Sequence, residues 1–235
     1  MQRTEGEATI TTVGRDGGRE VVILDQTYFH PQGGGQPYDQ GTIECSSARF
    51  HVDEVRFVDG VVQHIGAFET GAFSPGDIVT MRVDPDRRSL HARLHSAGHV
   101  VDMAVSATSL GWIPGKGYHF PQGPYVEYQG SAEGFDTEAL KSEIEVKSNG
   151  FVEAGIETTL RFMTRSELSE VCRFVPDYVP ENKPSRVVFY GDFGVPCGGT
   201  HVANLRDIGR ITIRKIKKAK GSAGAVRVSY ELNDK

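Results

Sequence analysis

The sequence predicts an α+β protein: a small N-terminal β-barrel followed by a mixed α and β region that carries a zinc site. Three observations predict it. Residues 1–85 contain only short strand-like runs separated by glycine and aspartate turns. From Pro85 onward helical periodicity alternates with strand-like runs. Two pairs of metal-ligand residues, His95 with His99 and Cys197 with His201, are each spaced i, i+4 and stand about a hundred positions apart. Three imidazoles and one thiolate make a tetrahedral zinc shell, so Zn2+ is the expected ion.

The β-rich part reads as residues 9–13, 20–24, 49–55 and 61–65, each rich in Val, Ile, Thr or Phe, and residues 77–84, which alternate until Asp84-Pro85 ends them. Short strands at regular spacing suggest a small barrel over residues 1–85. Within it, residues 29–41 contain Gly33, Gly34 and Gly35 followed by Gln36, Pro37, Tyr38 and Asp39. This run is either a hairpin loop or a loop that closes on a ligand. It is neither a dinucleotide fingerprint nor a P-loop, because no helix pattern and no Gly-Lys-Ser/Thr follows.

The second domain is expected over residues 86–235. Residues 90–104 contain no proline and place Leu90, Leu94, Ala97 and Val101 on one helical stripe. On that helix His95 and His99 lie one turn apart and can chelate one ion. His91, a turn earlier, is a supporting group or a mere neighbour. Residues 115–121 and 125–128 suggest a turn and a strand, with Lys116 and His119 read as surface hairpin residues in preference to a pocket wall. Residues 136–147 form a helix with acids in its first turn. Thr164-Arg165-Ser166-Glu167 is a capping box opening a short helix to Val171. Residues 187–190 form a strand, and Gly191 to Pro196 break it. Cys197-Gly198-Gly199-Thr200-His201 is then a glycine-rich turn or the start of a short helix. Its glycines let the backbone come close to an ion or ligand, and its N–H groups can face a substrate oxyanion. Two final strands run through Ile211 and Ile213 and through Val226 to Leu232.

Four protein ligands describe a closed structural zinc site, whereas catalytic zinc usually keeps one position for water. The pattern alone leaves both roles open. Composition narrows the rest. At 235 residues, 38% hydrophobic and 24% charged, the chain can bury a real core. No apolar stretch approaches the roughly 20 residues that span a membrane, and the N-terminus has no apolar core of a secretory signal. Three cysteines, an odd and sparse count, argue against a disulfide framework and for a reducing, cytoplasmic setting. A net charge of −5 excludes coating of nucleic acid by bulk charge. Arg206, Arg210, Arg214, Lys215, Lys217, Lys218 and Lys220 nevertheless face only one acid, Asp207. That patch either holds a few phosphates or protects a strand edge with lysines. Oligomeric state carries no expectation.

His-x-x-x-His, Cys-Gly-Gly-Thr-His and the preceding Gly-Gly-Gly-Gln-Pro-x-Asp-x-Gly loop together resemble the free-standing alanyl-tRNA editing proteins, the AlaX family, in its medium form. These are similar to the editing domain of alanyl-tRNA synthetase and to the second additional domain of threonyl-tRNA synthetase. The resemblance covers nearly the whole chain and implies an α/β-sandwich-like editing domain after the barrel. It implies hydrolysis in trans of the ester joining serine, and in some members glycine, to alanine tRNA. It also implies His95, His99, Cys197 and His201 as zinc ligands, with His95, His99 and Gln36 as catalytic candidates and Gly33, Gly34, Gly35 and Thr200 near the substrate. The basic residues Arg210, Arg214, Lys215, Lys217, Lys218 and Lys220 become a docking site for tRNA. Residues 111–120 depart from the family pattern and bear on the amino-acid pocket, so serine preference is not implied with the same force, and threonine tRNA is an alternative partner. Two other readings compete: a metallohydrolase of another small ester or amide, and a catalytically silent RNA-binding module with structural zinc.

Overall fold

A computed structural model describes residues 3–177, 179–219 and 224–233. The chain divides into two compact units, Met1–Leu90 and His91–Lys235.

The first unit is a closed antiparallel barrel of six strands, β1 (Glu5–Asp16), β2 (Arg19–Leu24), β3 (Gly41–Glu44), β4 (Arg49–Val58), β5 (Val61–Thr70) and β6 (Ile78–Val83), in the order β1-β2-β5-β4-β3-β6. Closure comes from β1 and β6, with Glu5 opposite Arg82 and Thr9 opposite Ile78. Alternation puts Ile10, Val22, Ile43, Phe50, Val52, Val55 and Met81 inside. β3 is the strand that sequence patterning misses. It has four residues and one buried apolar side chain, Ile43, too little for a periodic signal.

Helix α1 spans Pro85–Ser106, one turn and more earlier than the apolar stripe indicates. Asp84 caps it, its carboxylate accepting from the N–H groups of Asp86 and Arg87, and Pro85 occupies the first helical position, where its missing N–H costs nothing. The dipeptide that ends β6 thus also starts the helix. Leu94, Ala97 and Val101 are buried as expected. Leu90 is 38% exposed and leaves the stripe, whose inner face is completed by Val100 and Ala104.

The second unit adds two sheets and two helices. One sheet has the order β12-β13-β8-β7, from β7 (Ile113–Tyr118), β8 (Tyr125–Gln129), β12 (Arg210–Lys218) and β13 (Ala225–Asn233). The other has the order β11-β10-β9, from β9 (Thr158–Met163), β10 (Ser185–Tyr190) and β11 (Phe193–Pro196). Helix α2 (Thr137–Ala154) is capped by Asp136 and ends at Gly155 in the left-handed conformation. It covers the outer edge of β12: Asn149 bonds both backbone groups of Ile211, and the Glu145 carboxylate accepts from the Ile213 N–H. Helix α3 (Arg165–Val171) opens with the capping box read from the sequence, Thr164 and Glu167 bonding reciprocally. Among the described residues no helix is long and apolar enough to cross a membrane.

Candidate metal centre

Within the second unit α1 presents His95 and His99 one turn apart, their rings stacked at 5.0 Å between centroids. The other two ligand candidates follow the β10–β11 hairpin. Beyond Pro196 the chain bends at Gly199 and forms no helix through His201, so the turn reading holds and the short-helix alternative falls. Arg186 of β10 shapes this loop. Its carbonyl accepts from the Cys197 N–H, and its guanidinium Nη1 donates to the carbonyls of Cys197 (2.9 Å) and Gly199 (2.7 Å). These bonds fix the backbone of the loop that carries the Cys197 and His201 side chains.

The ligand atoms of His95, His99, Cys197 and His201 all lie within 4.8 Å of one another. Cys197 Sγ is 3.3 Å from His95 Nε2 and 3.5 Å from His201 Nε2. Among the described residues His99 Nε2 is buried with no hydrogen-bond partner, a costly state for a ring nitrogen unless something accepts its lone pair. Burial, helped by the Arg186 charge, pushes His99 down to about 4. Burial pushes the Cys197 thiol up to about 11, opposed by the Gly199 N–H and by Arg186. At neutral pH His99 is therefore a neutral donor, and Cys197 gives up its proton when a cation replaces it. Three imidazoles with one thiol suit a borderline-soft ion of tetrahedral habit, so these residues fit zinc.

One neighbour was misread in the sequence. His119, taken as a surface hairpin residue, is buried and stacks on His95 at 4.4 Å. Gly98 of α1 makes room for it, because a side-chain carbon there would strike the His119 ring. The Tyr230 hydroxyl donates to the Leu94 carbonyl at 2.9 Å and lies 2.7 Å from His119 Nδ1. That hydroxyl has one proton, so His119 Nδ1 must donate, and the lone pair is on Nε2. Burial holds the ring neutral, down to about 3. Its signal in the sequence was the flanking Tyr118 and Phe120, aromatic neighbours that suit an interior better than a hairpin tip. Lys116 is exposed, as read. Tyr190 and Thr200 are buried, and the Tyr190 ring lies 5.9 Å from that of His99.

The glycine-rich loop belongs to the first unit. Gly33 and Gln36 close a tight turn through paired backbone bonds of 3.2 and 2.9 Å. Gly34 and Gly35 take φ of 55° and 78°, the mirror-type turn that glycine adopts without penalty. The Gln36 side chain is fully buried. Asp39 anchors the loop, accepting from the His30 N–H at 2.6 Å and from Arg88, whose Nη2 also donates to the Tyr28 carbonyl at 2.5 Å. His64 holds the loop's start. Its Nδ1–H donates to Val22, its Nε2 accepts from Thr27, and Phe29 packs edge-on at 5.2 Å.

On β12, Arg210, Arg214, Lys215, Lys217 and Lys218 are exposed, while Ile211, Ile213 and Ile216 face inward. Arg214 pairs with Glu231 at 2.5 Å. Lys220 lies outside the described residues. Cys45, Cys172 and Cys197 form no disulfide.

Residues 4–87 match the family model of class II (A) tRNA synthetases, and residues 185–228 match that of the threonyl and alanyl tRNA synthetase second additional domain. The chain is 34% identical to alanine–tRNA ligase of Methanothrix thermoacetophila over 220 residues, covering 91% of this chain and 23% of the ligase. It is 32% identical to the ligase of Paraburkholderia phytofirmans, covering 91% of this chain and 24% of the ligase. The chain thus spans about a quarter of the length of the ligases it matches. It is also 32% identical over 239 residues to the alanyl-tRNA editing protein AlaX-M of Methanosarcina barkeri, covering 98% of this chain and 95% of that protein.

Proposed function

Since the chain belongs to the alanyl-tRNA editing family, we propose that it is a trans-acting hydrolase that deacylates mischarged tRNA. Its principal substrate is Ser-tRNA(Ala), with Gly-tRNA(Ala) second, its cofactor is zinc, and it works in the cytoplasm. The observation that carries this reading is the convergence of four ligand atoms within 4.8 Å in a chain that matches an alanyl-tRNA editing protein almost end to end.

Zinc would be held by His95, His99, Cys197 and His201, and when bound it supplies a Lewis acid that activates water or grips the substrate amino group. The remaining work falls to side chains. Buried Tyr190 and His119 keep bulk water from the ester. The His119 Nε2 lone pair accepts a hydrogen bond from the serine hydroxyl. A site that offers such an acceptor leaves it unpaired when alanine enters, which is how correct Ala-tRNA is spared. Thr200 is a further polar group that we assign to the substrate. An aminoacyl ester is already activated, so positioning within a dry site does much of the catalysis.

Arg210, Arg214, Lys215, Lys217 and Lys218 are assigned to tRNA phosphates. Such contacts need only a few cations and tolerate a net charge of −5. A second reading, an RNA-binding module with structural zinc, is favoured by the closed four-ligand geometry alone. Release of serine from Ser-tRNA(Ala) beside alanine from Ala-tRNA(Ala), with wild type and Cys197→Ala, separates them. Selective serine release that is lost in the variant supports the hydrolase. No release from either, with zinc retained by wild type, supports the module.

A further inference from the structure

The sheet β11-β10-β9 has two unlike faces. Val187 and Phe189 of β10 join a small cluster with Leu168 and Cys172. Val188 and Tyr190 turn the other way into the main core of the second unit, where Tyr190 flanks His99. Directly opposed residues of antiparallel strands share a face. Phe162 of β9 is opposed to Arg186, and Leu160 to Val188. Val187 is opposed to Pro196, and the Cys197 N–H donates to the Arg186 carbonyl, so Cys197 continues the register beside Arg186. Phe162, Arg186 and Cys197 therefore form one row across the sheet, on the face that carries the metal-ligand group.

The outer end of that row is apolar and in water. Phe162 is 74% exposed and Leu160 is 50% exposed. The opposite face of β9 is occupied, with the Arg161 guanidinium 5.0 Å above the Phe189 ring. Packing does not explain Phe162: it belongs to none of the hydrophobic clusters among the described residues. Strands lie about 4.8 Å apart, so Phe162 stands about 10 Å from Cys197 along the row. A nucleoside acylated on its ribose spans that distance from base to ester. Arg186, between the two, is committed to the carbonyls of Cys197 and Gly199.

We propose that Phe162, with Leu160 beside it, is the stacking platform for the terminal adenine of the aminoacylated tRNA, seated so that the ester reaches the Cys197 end of the row. This rests on the reading of the site as an aminoacyl-ester hydrolase. A base offers a π-face to an aromatic side chain whatever its sequence context, which suits a 3′ end common to every tRNA.

Two measurements test it. In single-turnover and steady-state deacylation of Ser-tRNA(Ala), Phe162→Ala raises KM by about 5- to 150-fold, the worth of one stacked base, and leaves kcat within about twofold. Phe162→Tyr restores KM. In the second, Phe162→Trp adds an exposed indole to a protein whose single tryptophan, Trp112, is buried. Its fluorescence is quenched saturably by a non-hydrolysable probe, serine in amide linkage to 3′-amino-3′-deoxyadenosine. If the probe binds wild type by calorimetry while the indole is not quenched and KM is unchanged in Phe162→Ala, the platform is overturned and the hydrolase reading stands. A change of sedimentation in Phe162→Ala, with KM unmoved, would overturn it in favour of self-association through the open edge of β9. If wild type neither binds the probe nor releases any amino acid, the hydrolase reading fails and takes the platform with it.

Discussion

Both units bury polar groups, and they do so to opposite ends. In the barrel, Asp39 meets Arg88 and the His30 N–H, and His64 has a partner on each ring nitrogen. Donor answers acceptor, and the result fixes a loop. In the second unit, three imidazoles and a thiol converge, and His99 Nε2 is left with no hydrogen bond. His99 Nε2 is a buried lone pair that no donor among the described residues meets, an arrangement that folding alone does not favour. A buried cluster complete in itself is architecture, and one that leaves a converging ligand atom unanswered marks a site for a ligand.

The largest effect expected from this contrast is on the converging cluster. Cys197→Ala, or treatment with a chelator, lowers serine release by more than about 100-fold, since even groups that merely support metal ligands are worth 10- to 100-fold. Zinc restores the chelated wild type and not the variant, as read by deacylation and by metal analysis. Retained activity in Cys197→Ala would end the distinction between the two clusters.

In the barrel the expected loss is of stability. Arg88→Met leaves the Asp39 carboxylate buried opposite a methyl group and costs about 3–5 kcal/mol, measured by urea unfolding, with zinc content per folded molecule unchanged.

His64 gives a pH signature. Burial takes it from 6.5 to about 4. Between those values the unfolded chain binds more protons than the folded one, so stability rises with pH across that window. Its contribution is complete above pH 6.5 and is lost as pH falls towards 4, about 3 kcal/mol in all. His64→Gln flattens the slope of unfolding free energy between pH 6.5 and 4. An unchanged slope would show that His64 is charged in the folded barrel.

The smallest effect concerns the basic strand. Lys215→Ala and Lys217→Ala each reduce the salt dependence of tRNA binding by about one unit of log–log slope and weaken binding a few-fold for every tRNA sequence, in filter-binding titrations. Lysines that serve only to guard a strand edge would leave the slope alone.

Much of this was legible in the chain itself, for reasons that are local. His95 and His99 announce themselves by helical spacing, and the capping box at Thr164 is written in four consecutive residues. Strands β4 and β6 of the barrel alternate over part of their length. What escaped depends on partners distant in sequence. β3 is a strand because β4 and β6 flank it, not because four residues favour it. Leu90 carries a core residue's chemistry at an exposed position. His119 looked like part of a hairpin tip because the groups that bury it, Gly98 and Tyr230, lie 21 residues before and 111 residues after it. The Phe162 row needed the register of three strands, and no single stretch of sequence contains it.

Tyr230 is among the last described residues of the chain, and it ties its hydroxyl to a carbonyl 136 positions earlier. The barrel, by contrast, needs nothing beyond β6 for its closure. During synthesis the first unit can close while most of the second is still being made, since domains fold as units in the order they emerge. The contacts of Tyr230 with His119 and the Leu94 carbonyl form only when β13 is threaded beside β8. Long-range pairings of this kind form late. Completion of the surroundings of the metal-ligand group thus waits for the last strand, and the barrel does not.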